Sequence, residues 1–91
     1  MLKLERRRSR IEVIADILRL GEAGKTEIMY TVHMSYGQLQ KYLDIMLKLR
    51  LIDRAAIHNQ SGTYRVTQKG LRLLRNVDAV LEILEGKESL D

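Results

Sequence analysis

Ninety-one residues amount to one small domain, 45% apolar and 31% charged, with 16 Lys/Arg against 12 Asp/Glu and a formal net charge of +4. Cysteine is absent, which excludes a disulfide framework and a cysteine-ligated metal site, and the two histidines, His33 and His58, have no metal-binding spacing with carboxylates. The opening MLKLERRRSR lacks the apolar centre of a signal peptide, and no apolar run approaches the ~20 residues of a membrane span, so a soluble cytoplasmic domain with no membrane partner is expected.

The charge is unevenly distributed. Residues 1–75 hold 15 Lys/Arg against seven Asp/Glu, a balance of +8, whereas residues 76–91 hold one Lys against five acids, a balance of −4. A basic body calls for a polyanionic partner and an acidic end for something else.

Residues 1–8 form a basic N-terminal arm, in which Lys3, Arg6, Arg7 and Arg8, together with nearby Arg10, read either as phosphate contacts or as a solvated tail. With no proline in the chain, helix boundaries rest on caps, glycines and changes of period. Ser9 with Glu12 three residues on has the capping-box spacing, and Ile11, Ile14, Ile17 and Leu18 follow as an apolar face. Gly21 suits the left-handed residue that ends this helix near Leu20, and Gly24 keeps the chain open. A second, short helix is expected from Thr26 to Val32, with His33 and Met34 as a tight connection. Ser35 caps a third, in which Leu39, Leu43, Met46 and Leu47 fall on one face, ending near Arg50.

The period then changes. Leu51–His58 and Thr63–Val66 are β-prone runs on either side of Asn59-Gln60-Ser61-Gly62, the composition of a hairpin turn. Thr67 can cap a last helix in which Leu71 and Leu74 suit the core. Leu73, Val77, Val80 and Leu84 repeat at the 4-3-4 spacing of a coiled-coil seam, widened by Leu81. A helix apolar on two sides points to a homodimer, with Asp78, Glu82 and Glu85 facing Arg72 and Arg75 of an antiparallel partner; the other reading has these residues cover one monomer's core.

Two short helices joined by a turn of about three residues have the pattern of a helix-turn-helix, and a hairpin directly after them makes it winged. The expected fold is mainly α with a small β-hairpin, in the order α-α-α-β-β-α. Residues 9–67 form the winged helix-turn-helix, 68–85 a C-terminal dimerisation helix, and 86–91 a frayed acidic tail.

On the third helix, Gly37, Lys41 and Lys48 lie opposite the apolar stripe, with Gln38 and Asp44 beside them. Gln38 suits paired hydrogen bonds to adenine, Lys41 suits guanine acceptors or phosphate, and Ser35 stands at a helix N-terminus whose N–H groups suit phosphate. The plainer reading is a solvated face, and Asp44 disfavours DNA near the helix's C-terminal half. Tyr36 stands between a sugar or phosphate contact and burial, while Tyr42, Ile45 and Leu49 form a second apolar strip expected to pack under the first or last helix. In the hairpin, Tyr64 and Val66 alternate inward and Thr63 and Arg65 outward. Arg54 and Arg65 form a wing that straddles phosphates or enters the minor groove, or else two exposed cations that guard an edge strand; His58 reads as a loop-end residue rather than a ligand, and His33 as structural rather than catalytic.

These residues carry a resemblance. Ile28-Met29-Tyr30, Met34-Ser35-Tyr36, Tyr42-Leu43, Leu51-Ile52, Tyr64-Arg65-Val66-Thr67 and Lys69-Gly70 together span Ser9 to about Leu84. They resemble small basic archaeal winged-helix DNA-binding proteins that dimerise through a C-terminal antiparallel coiled coil, most closely in the run TEIMYTVHMSYGQLQKYL. The resemblance implies a dimeric binder of double-stranded DNA, nucleoid-associated or regulatory, with no enzymatic activity and no cofactor. It puts Ser35, Tyr36, Gln38 and Lys41 in the DNA groove and Arg65 on the wing. The last helix is shorter than the long rod of the better-known relatives. A second reading is a protein–protein adaptor that ignores DNA and binds through Tyr42, Ile45 and Leu49. An enzyme is disfavoured, for the sequence has no glycine-rich phosphate loop, no nucleophile–histidine pair and no paired carboxylates, and no small-molecule substrate is evident.

Overall fold

The computed structural model describes residues 9–57 and 60–85. The basic arm, His58, Asn59 and the acidic tail lie outside the described residues. The elements run α1 (Arg10–Arg19), β1 (Glu22–Ala23), α2 (Lys25–Val32), α3 (Tyr36–Lys48), β2 (Ile52–Ile57), β3 (Gln60–Val66) and α4 (Gln68–Glu85).

Local signals fix the first helix as expected. The Ser9 hydroxyl accepts the Glu12 amide at 3.2 Å, and the Glu12 carboxylate accepts the Ser9 amide at 2.9 Å, so two otherwise orphaned N–H groups are satisfied. Gly21, at φ 77°, takes the left-handed position after the helix. The next two residues depart from the expected loop. Glu22 and Ala23 form a strand because β3 lies alongside, with Glu22 opposite Arg65 and Ala23 opposite Tyr64. The Val66 amide, donating to the Gly21 carbonyl at 2.8 Å, extends the pairing.

Gly24 caps α2 through its extended backbone alone, so the helix starts at Lys25, one residue before Thr26. His33, at φ 55° and ψ 54°, closes the helix by donating its amide to the Met29 carbonyl at 2.9 Å. The structural role expected of His33 is therefore a backbone one. Ser35 caps α3, and the side chains of Leu39, Leu43 and Met46 are fully buried beside Leu18 and Ile28. Burying each such side chain contributes about 1.5–3 kcal/mol. The end of α3 is a Schellman turn with an arginine where glycine is usual. Arg50 has φ 64°, its amide donates to Leu47 at 3.0 Å, and the Leu51 amide donates to Met46 at 2.8 Å.

The sheet order is β1-β3-β2, antiparallel throughout. The register pairs Ile52 with Val66, Asp53 with Arg65, Arg54 with Tyr64 and Ala55 with Thr63, and an irregularity follows between Ala55 and Ile57. Gln60, Ser61 and Gly62, expected in the turn, belong to β3, because cross-strand pairing carries the ladder further than turn propensity indicates.

Three expectations about apolar faces need correction. Ile11, placed on the apolar face of α1, is 58% exposed, and the buried side of that helix is instead Val13, Ala15, Ile17 and Leu18. Leu73 and Leu74 pack against the core, whereas Leu71, expected there, is exposed. Gly70 brings α4 so close to Leu51 that a Cβ there would stand 2.2 Å from the Leu51 carbonyl oxygen, and this contact orients the helix against the core. On α3, Tyr42 packs against the core, but Ile45 and Leu49 are 52% and 48% exposed rather than covered by α1 or α4. At 100° per residue Ile45 stands about 120° from Leu39, too far round the helix to reach the core.

Candidate nucleic-acid interface

The outward side of α3 carries Gly37, Lys41, Asp44 and Lys48, all exposed. A side chain at Gly37 would meet nothing within 4 Å, so packing does not require the glycine. Ser35 and Gln38 form a second capping box. Gln38 donates its amide to the Ser35 hydroxyl at 3.2 Å, and its side-chain oxygen accepts the Ser35 amide at 3.4 Å and hydroxyl at 3.3 Å. A two-bond adenine contact needs that same oxygen as an acceptor, so it requires the cap to open. The paired reading expected of Gln38 is thus opposed by its structural duty, in which the side-chain oxygen is already engaged.

Tyr36 is 59% exposed, so burial is not its role. The Lys25 ammonium, from the first residue of α2, lies 4.2 Å from the centre of its ring and donates to its hydroxyl at 3.0 Å. The same ammonium donates to the side-chain oxygen of Gln40, and the Gln40 amide donates to the Asp44 carboxylate at 2.8 Å. Sequence reasoning missed Lys25 and Gln40 because the pair spans two helices and no periodicity within either one relates them. The carboxylate of Asp44, read from the sequence as disfavouring DNA near the helix's C-terminal half, accepts the hydrogen bond from Gln40.

On the other flank of α3 lies an open groove of about 1000 Å³, with Val13 and Val32 among its lining and Arg10, Gln38, Lys41 and Ile45 around it. Its charged lining is entirely cationic.

The two wing arginines, expected to act together, are on opposite faces of the sheet. Arg54 lies across from Tyr64, donating to its hydroxyl at 3.4 Å with the guanidinium 5.4 Å from the ring centre. Arg65 is exposed, with Asp53 opposite it on β2 and Glu22 opposite it on β1. The wing charge is therefore locally balanced. The acid from β1 was not anticipated because that strand was not.

On α4, Val80 and Leu84 are 51% and 75% exposed, and Ile83, outside the expected seam, is 77% exposed. Leu73, Val77 and Leu81 are half-buried. The Asp78 carboxylate is held by Arg19 of the same chain, which also pairs with Asp16 at 2.8 Å. This ion pair joins α1 to α4, which pack directly against each other.

Among the described residues no helix is long and apolar enough to cross a membrane. Comparison with known proteins agrees with the architecture. The family pattern for winged helix-turn-helix proteins matches residues 7–85. The uncharacterised protein MJ0287 of Methanocaldococcus jannaschii is 31% identical over 84 residues, 89% of this chain and 81% of its own length. The crystal structure of Sso10a-2, a DNA-binding protein from Sulfolobus solfataricus, is similar with a TM-score of 0.77 and 30% identity, over 86% of this chain and 83% of that one. The MarR family transcriptional regulator SPO1453 from Silicibacter pomeroyi shares the fold at 19% identity, with a TM-score of 0.69, over 85% of this chain and 55% of its own. By its helix order, its three-stranded wing and the match over most of its length, the chain belongs to the winged helix-turn-helix family.

Proposed function

We propose that the protein binds duplex DNA as a homodimer, as a transcriptional regulator or nucleoid-associated protein, and acts by binding alone, without a cofactor. The observation that carries this reading is the exposed outward side of α3, with Lys41 and Lys48 on it and the helix N-terminus at Ser35, in a fold similar to that of the DNA-binding protein Sso10a-2. Lys41 neutralises a phosphate and releases its counterions, so affinity falls with salt. The positive end of the helix dipole at Ser35 favours another phosphate. Base discrimination falls to Tyr36 and the Gln38 Nε2 amide at the start of α3. Arg54 and Arg65 add flanking phosphate contacts on opposite sides of the wing, each weakened by its neighbours.

The dimer forms through α4. Val80 and Leu84 present apolar surface to solvent, and Leu73, Val77 and Leu81 border it. Pairing two such helices removes that surface from water and sets the distance between the two α3 helices.

A protein–protein adaptor is the second reading, favoured by exposed Ile45, which lines the groove, and by exposed Leu49. Fluorescence-anisotropy titration against random duplex DNA at two salt concentrations separates them. Binding at low salt that weakens sharply at high salt supports the DNA reading. Absence of binding at low salt overturns it in favour of the adaptor.

A further inference from the structure

Tyr36 is the first residue of α3 and one of the exposed large side chains of the domain. Left to itself, such a side chain samples several rotamers, and any hydrogen bond it makes to a partner must first overcome that freedom. It is not left to itself. Lys25 reaches it across the helix-turn-helix with two kinds of contact, ammonium over ring and ammonium to hydroxyl. The ammonium is itself anchored by a second acceptor, the Gln40 side chain, which Asp44 holds in turn.

We propose that Lys25 is a positioning residue for Tyr36: it fixes the ring and fills an acceptor site on the hydroxyl, so that the phenolic proton is aimed outward to a phosphate or base acceptor of bound DNA. The proposal rests on the DNA-binding reading above. A hydroxyl that accepts a hydrogen bond from a cation becomes a stronger donor through its own proton, because the first bond polarises the O–H. The acceptors a duplex offers to it are phosphate oxygens, guanine N7 and O6, and thymine O4. The ammonium spends two of its three donors inside the protein, on the Tyr36 hydroxyl and the Gln40 side chain, and the proposal routes its contribution to DNA binding through Tyr36.

The test combines Lys25→Met, Lys25→Arg, Tyr36→Phe and the double variant Lys25→Met/Tyr36→Phe in the full chain. In the DNA-free protein, NMR of labelled tyrosine rings reports Tyr36 rotamer averaging. A single rotamer is expected in the wild type and in Lys25→Arg, and an averaged one in Lys25→Met. In anisotropy titrations each single variant except Lys25→Arg loses about fivefold in affinity. The double variant loses no more than either alone, and the salt slope of Lys25→Met equals that of the wild type. A slope lower by about 0.9 would make Lys25 a direct phosphate contact and overturn the proposal. Losses that multiply in the double variant overturn it too, as does a Tyr36 ring equally ordered without the lysine. Wild-type protein indifferent to DNA would instead sink the function itself, and the rotamer measurement keeps the two failures apart.

Discussion

The hydroxyl of Thr67 donates to the main-chain carbonyl of Arg50 at 2.7 Å, tying the start of α4 to the end of α3. The same oxygen accepts the Gly70 amide at 3.0 Å as the cap of α4, and the Thr67 amide donates to the Leu51 carbonyl at 3.1 Å. Lys69 adds a bond from its ammonium to the Leu49 carbonyl at 2.9 Å. One junction therefore satisfies the end of one helix and the start of the next. It also fixes the direction in which the proposed dimerisation helix leaves the proposed DNA-reading helix.

Thr67→Val removes the cap and the hydroxyl's bond to the Arg50 carbonyl, while keeping the side chain's shape and the amide bond to Leu51. Urea unfolding should show a loss of about 1–2 kcal/mol, with Thr67→Ser retaining most of the wild-type stability. Equal stability of Thr67→Val and the wild type would mean that the junction contributes nothing.

Gly70→Ala gives the opposite of what helix propensity alone predicts. A Cβ there would stand 2.2 Å from the Leu51 carbonyl oxygen and 2.9 Å from Val66 Cγ2. Exposed helical glycine replaced by alanine gains about 1 kcal/mol, but here the backbone must shift, and a net loss of about 1–3 kcal/mol is expected by urea unfolding. A stabilised variant would contradict the close approach of α4 to Leu51.

Arg50→Gly relieves a left-handed backbone at φ 64° that glycine adopts without a clash. Thermal unfolding should show the variant more stable by up to about 1 kcal/mol, offset in part by the freer unfolded chain. A destabilised Arg50→Gly would mean that the arginine side chain itself holds the turn.

Much of this fold was legible in the sequence wherever the cause is local. Ser9 and Ser35 cap the helices they were expected to cap, Gly21 takes the left-handed position, and Leu39, Leu43 and Met46 form the buried stripe their spacing indicated. What escaped depends on partners distant in sequence. Glu22 and Ala23 become a strand only because Tyr64 and Arg65 lie alongside. Leu71 and Leu73 exchange their expected environments because Gly70 sets the rotation of α4 against Leu51. In the candidate site, Lys41 lies exposed where its spacing indicated, but the engagement of Gln38 by its own cap and of Tyr36 by Lys25 needed the assembled helices.

Val80→Asp with Leu84→Asp places two charges on the exposed part of α4. Sedimentation velocity at micromolar concentration should show a wild-type dimer and a monomeric variant, and circular dichroism should show the same helix content in both. A variant that stays dimeric would move the interface off this surface.

The most direct test of DNA binding through α3 is the salt dependence of anisotropy titrations for the wild type and Lys41→Ala on one duplex. The expected result is tight low-salt binding by the wild type and a weaker complex for Lys41→Ala, with a slope of log affinity against log salt shallower by about 0.9, one phosphate contact. Identical affinity and slope for the two proteins would contradict it.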